Sequence, residues 1–240
     1  MVNQIDPRFA TAQTGGMARA DIDVGLRKYM LGVYNYMASG VLLTGMVALL
    51  VASVPALQQF VFFTPFKWVA LFAPLAIVLF FSVRLHAMSA STAQAVYWLY
   101  AGAMGLSLGS IFLVYTGASI AKTFFVTATA FGALSLYGYT TKKDLSAWGT
   151  FLIMGVVGLL VASLINIFLK SSGLEFVISA AGVLLFAGLT AYDTQKIKEM
   201  YYEGDGYEVT AKKSVSGALA LYLDFINLFL FLLRFLGNRE

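Results

Sequence analysis

The stretch Ser216–Leu236, SGALALYLDFINLFLFLLRFL, dictates how the rest of the chain must be arranged. Its length suits a bilayer crossing, since a hydrocarbon core of about 30 Å needs about 20 helical residues. Yet Asp224 stands near its middle, with Asn227 one turn further on the same face. An ionised carboxylate there is destabilising by several kcal/mol unless it faces protein, water or an opposite charge. Asp224 must therefore look inward, and a partner must answer it. The preceding apolar segment offers Asp193, in AGLTAYDTQKI, with Thr190 one turn before it. The midpoint between 193 and 224 falls near Tyr207–Glu208, within the polar run Glu203–Lys213 that reads as the connecting loop. Two antiparallel helices turning there would set both aspartates at about equal depth.

The composition carries the membrane reading to the whole chain. Of 240 residues, 60% are hydrophobic and 12% charged, with a mean hydropathy of +0.80. Soluble domains hold about 25% charged residues. Seven continuous apolar spans can be marked, roughly 31–54, 66–85, 95–115, 120–139, 148–169, 176–192 and 216–236. Runs that are apolar throughout rather than alternating indicate helices, not barrel strands. The expected fold is thus an all-α polytopic membrane protein, a seven-transmembrane-helix bundle over residues 29–240 behind an amino-terminal tail over residues 1–28. Pro55 should end the first span and Pro65 open the second, while Pro74 should kink it. The fourth span is the least apolar, with Lys122, Thr123, Thr127 and Thr129 in its first half.

Several functions are disfavoured. No cysteine is present, so disulfides, thiolate metal sites and cysteine nucleophiles are excluded. The lone histidine, His86, offers no His-rich metal site or relay. The net charge of +4 is spread over loops between apolar spans, which does not suit nucleic acid. Gly117–Thr123, GASIAKT, lacks the second glycine of a phosphate loop, and no serine stands in a recognisable triad, so no enzymatic role is expected. The acids Glu199, Glu203, Asp205 and Glu208 lack the alternating pattern of a calcium loop and read as a solvated turn. No removable leader is evident, and Met1–Ala20 reads as a disordered lead.

Orientation follows from the basic residues. With the amino terminus cytoplasmic, that side holds Arg8, Arg19, Arg27, Lys28, Arg84, Lys142, Lys143, Lys196, Lys198, Lys212 and Lys213, which is 11. The other side holds Lys67, Lys122, Lys170, Arg234 and Arg239, which is 5. Seven spans then put the carboxyl terminus outside. Gly105 and Gly109, and Gly155 and Gly158, are spaced for close helix packing.

The aspartates remain as the candidate site. Intramembrane acids default to ion or proton roles. Two carboxylates in one dry site cannot both ionise cheaply, so Asp193 and Asp224 should titrate as a pair, with Asn227 and Thr190 as supporting polar neighbours. Arg84, at the end of the second span, is the nearest candidate counter-charge, with a snorkelling role as the plainer alternative.

The motifs AYDTQKI at 191–197, LALYLDFINLFLFLLRFLG at 219–237, GLSLGSIFLVYTGASIAKTFF at 105–125 and LYGYTTKKDLS at 136–146 resemble the Bax inhibitor-1 family in its bacterial form. The resemblance covers nearly all of the chain after about residue 20. It implies a seven-helix fold with the last helix central, in the bacterial inner membrane. It also implies a pH-sensitive calcium leak with no bound cofactor, gated by an aspartate pair that maps onto Asp193 and Asp224. A second-helix arginine that latches the closed state maps by placement alone onto Arg84. The partners implied are the bilayer, calcium ions and protons. The alternative is a modulator of a membrane-anchored ATP-dependent protease, acting through the exposed amino-terminal tail.

Overall fold

The computed structural model describes the backbone of residues 7–238 and the side chains of residues 24–238. Much of the lead expected over residues 1–28 therefore lies outside the described residues. The described residues are mostly helical: α1 (Pro7–Ser53), α2 (Pro55–Phe63), α3 (Phe66–Arg84), α4 (Ala90–Leu108), α5 (Gly117–Thr140), α6 (Ser146–Leu169), α7 (Ser172–Glu199) and α8 (Tyr207–Leu236). Among the described residues, seven of these segments are long and apolar enough to cross a membrane, all but the short α2. The seven spans marked in the sequence are these seven.

The prolines act as punctuation. Pro55 is the first residue of α2, the one helix the sequence did not suggest, and Pro65 caps α3. Pro74 lies inside α3, which continues through it without a break. The polar fourth span crosses because its threonines satisfy themselves. Thr127 donates to the carbonyl of Thr123 and Thr129 to that of Phe125, each at 2.8–2.9 Å, leaving little unmet polarity for lipid to meet.

α8 is the axis. It packs against α1, α4, α5 and α7, while α3 leans on α4 and α6 leans on α7 from outside. Large apolar side chains on the outer helices point outward; Phe168, Leu184 and Val83 are each more than 70% exposed. A soluble protein would hide them, and here lipid covers them. Since lipid is as apolar as leucine, burial alone does not drive these helices together. Close backbone approach and polar contacts do. Gly105 shows the first: a Cβ there would lie 2.6 Å from the Val47 Cβ and 2.8 Å from the Thr44 carbonyl oxygen on α1. Gly109 continues the contact at Val51. In the other predicted pair, Gly155 meets Leu185, whereas Gly158 faces open space.

The connection before α8 is shorter than the polar run suggests. It spans residues 200–206, and the polar residues from Glu208 to Lys213 already belong to α8. Polarity marks where the chain leaves hydrocarbon, not where the helix ends. Glu208 accepts the Ala90 backbone N–H at the start of α4, and Lys213 pairs with Asp205 while donating to the Met200 carbonyl at 2.8 Å. At the opposite surface Asn238 ties α8 to the start of α5. Its N–H donates to the Ser119 hydroxyl at 2.9 Å, and its carbonyl accepts from Thr116 at 3.2 Å.

Candidate functional site: an aspartate pair against the central helix

The antiparallel register of α7 and α8 is set by Lys213 at the Met200 carbonyl, Gly217 against Ile197 and Gly182 against the Phe231 ring. In that register Asp193 and Asp224 come level to within about one helical turn. Their carboxyl groups meet side chain to side chain. Asp224 is 3% exposed, and its Oδ2 has no hydrogen-bond partner among the described residues. Asp193 is half-buried, so the pair has a closed end and a more open one.

The other candidate residues are placed differently. Asn227 donates to the Leu223 carbonyl at 2.8 Å and Thr190 to the Phe186 carbonyl at 2.8 Å. Both are bonded to their own helices rather than to the acids. Arg84 is exposed at the end of α3, a helix that packs on α2 and α4 outside the ring around α8. An arginine so placed reaches the membrane surface, as a snorkelling side chain does. The cation beside Asp193 is instead Lys196, one turn on in α7. Its ammonium stands 5.8 Å from the Tyr192 ring centre. Lys196 was legible at i+3 from Asp193, but it reads from the sequence as one more loop-flanking basic residue.

Two polar struts flank the pair, neither of them legible from the sequence. In one, Tyr34 on α1 meets the Ser135 hydroxyl at 2.6 Å, Ser135 meets Thr194 at 2.9 Å, and Thr194 donates to the Thr190 carbonyl at 2.7 Å. Thr194 is the residue next to Asp193. In the other, Tyr222, two residues before Asp224, meets the Thr44 hydroxyl at 2.6 Å, and Thr44 donates to the Ala101 carbonyl at 2.8 Å. Tyr222 also packs edge-on to Tyr97 and Tyr100, at 6.3 and 5.5 Å between ring centres. Interhelical bonds of this kind contribute about 0.6 kcal/mol each in a membrane, and up to about 2. They lock the rotamers and positions of the helices that present the acids, so the pair sits in a rigid frame.

Among the described residues, no three His, Cys, Asp or Glu side chains are grouped to hold a metal ion. The pair can exchange protons and attract a passing cation.

Comparison with known proteins follows the same lines. The model of the family described as "Inhibitor of apoptosis-promoting Bax1" matches residues 26–240. The chain is 54% identical over 218 residues to the uncharacterized protein RP147 of Rickettsia prowazekii, covering 91% of this chain and 92% of that one. It is 49% identical over 219 residues to the inner membrane protein YbhL of Escherichia coli K12, covering 90% and 94%. An uncharacterized protein of Caulobacter vibrioides is 48% identical over 250 residues, covering both chains in full.

Proposed function

Because the chain belongs to the Bax inhibitor-1 family, we propose that it is a calcium-permeable leak whose rate is set by protonation of Asp193 and Asp224. The carrying observation is the meeting of the two carboxyls against the central helix, with Asp224 Oδ2 buried and unpartnered. An acid so placed is destabilising, and an acid kept at such a site points to protons or ions. Calcium is the ion that the family resemblance implies, and carboxylate oxygens are the hard ligands it prefers. The relative named an inner membrane protein supports the same membrane for this chain.

The sign of the pH response follows from counting protons. With one proton between them, a carboxyl donates to a carboxylate; such charge-assisted bonds are short and about twice as strong as neutral ones. That bond ties α7 to α8, and the net negative charge also draws Lys196. A second proton removes the charge, weakens the bond and frees Lys196. Removing the shared proton leaves two repelling carboxylates, which Lys196 partly offsets. The leak therefore rises on acidification. Asp193→Asn removes the charge beside Lys196 and leaves Asp224 as the one titrating acid, so it should leak more than the parent at neutral pH. The test is calcium entry into proteoliposomes from pH 8 to pH 6. A leak that falls steadily on acidification, or an Asp193→Asn variant that keeps the parent's pH profile, overturns the reading.

A further inference from the structure

α5 and α6 lean on α7 from either side and leave a groove between them of about 750 Å³. Its floor is α7, around Leu184, Gly188 and Ala191, and its walls carry Tyr137 and Phe151. It opens toward the lipid. At one end stands the turn 141–145, with Lys143 and Trp148 beside it.

That end is a built feature. Gln195 of α7, only 7% exposed, brackets the turn: its amide oxygen accepts from Leu145 N–H and its amide nitrogen donates to the Lys143 carbonyl, both at 2.8 Å. The Lys143 N–H is held by the Thr141 hydroxyl at 3.2 Å. The backbone of Lys143 is thus fixed on both sides while its side chain is exposed at the groove's mouth. Lys196, one turn further along α7, stands over Tyr192, whose ring lines the same groove. The acid of the turn, Asp144, spends its carboxylate on the Ser146 N–H at 2.8 Å, at the first turn of α6. That bond holds the Asp144 carboxyl below the usual carboxylate range, so it stays ionised near neutrality. With Asp144 occupied by Ser146 and Lys196 shared with Asp193, Lys143 is the ammonium the turn presents at the mouth.

We infer that this groove is a binding site for an anionic glycerophospholipid, one acyl chain lying along α7 and the phosphate between Lys143 and Lys196. The shape and the charge require different parts of one molecule. An apolar channel open to the bilayer takes a hydrocarbon chain, and a basic pocket between helix ends at the membrane surface takes a charged headgroup. Zwitterionic lipid would satisfy the first and gain little from the second. The site shares Lys196 with the aspartate pair, and its test reads lipid rather than ion flux.

Trp148 reports on the site directly. The protein has three tryptophans, and Trp68→Phe with Trp98→Phe leaves Trp148 alone. This variant is reconstituted in phosphatidylcholine containing increasing fractions of chain-brominated phosphatidylglycerol or chain-brominated phosphatidylcholine. Quenching should reach half its maximum at a several-fold lower fraction of the anionic lipid. Lys143→Gln should reduce that preference by about five-fold, the effect of one lysine at a membrane surface. Adding Lys196→Gln should abolish it. Lys142→Gln removes the same charge from a side chain outside the groove and should keep the preference. Equal curves for the two lipids overturn the proposal. So does a loss with Lys142→Gln as large as with Lys143→Gln, since diffuse surface attraction would then account for it.

Discussion

Asp224 has one carboxyl oxygen without a protein partner, and Asp224→Asn would set an amide NH₂ within reach of the Asp193 carboxylate. A hydrogen bond to a charged group contributes about 1.5–3 kcal/mol, so the Asn variant should fold, insert and melt close to the parent. The pH profile of its leak should change, because one acid, Asp193, then titrates where the parent has a coupled pair. Asp224→Leu keeps the branching but leaves Asp193 with no side-chain partner on α8, and should lower the thermal midpoint measurably. Calcium flux and thermal unfolding of the two purified variants read both effects. Parent-like titration and conduction in both would remove the pair from the mechanism. The acids themselves were legible, because an Asp within an apolar run has no inexpensive lipid-facing position. Their cation was not: Arg84 and Lys196 both read as basic residues near helix ends, and only the packing of α3 outside the central ring separates them.

The contact of α5 with α7 shows how an element is seated without a hydrophobic driving force. Gly138 lies so close to α7 that a Cβ would enter contact distance of the Ala191 carbonyl oxygen, a backbone atom that cannot swing aside. Ala191 stands two residues before Asp193, so the approach sets the depth of the acid. Gly138→Ala should destabilise the bundle by about 1–3 kcal/mol, the range for overpacking a tight contact. Gly158→Ala meets open space and replaces glycine in a helix interior, so it should be neutral or stabilising by up to about 1 kcal/mol. Thermal unfolding of the two variants in one detergent decides between them. Equal midpoints would mean that α5 and α7 can separate without loss. In the sequence both positions are glycines inside apolar spans, and no spacing rule tells the one in contact from the one in space.

For the molecule as a whole, seven crossings and two surface ties fix which ends share a side. Glu208 joins the start of α8 to the start of α4, and Asn238 joins its end to the start of α5. From the 11 to 5 split of basic residues we propose the amino terminus inside and the carboxyl terminus outside. A reporter fused after Glu240 should be active only on the non-cytoplasmic side. Activity in the cytoplasm would mean that the whole bundle is inverted or that one of the seven helices fails to cross.

The sequence by itself determined the class of fold, the number of spans and the two acids, because each depends on composition over a length that the bilayer prescribes. Twenty apolar residues must cross, and a carboxylate among them must turn inward, whatever their neighbours are. Tertiary structure alone decided what faces what. It put Lys196 rather than Arg84 beside Asp193, sent Asn227 and Thr190 to their own carbonyls, and joined Tyr34, Ser135 and Thr194 across three helices. It also opened a groove between α5 and α6 where two adjacent spans might have packed. Lipid solvates every apolar helix face about equally, so hydrophobicity cannot choose the face that turns inward. Small residues and polar contacts choose it, and those act only between particular atoms brought within a few ångströms.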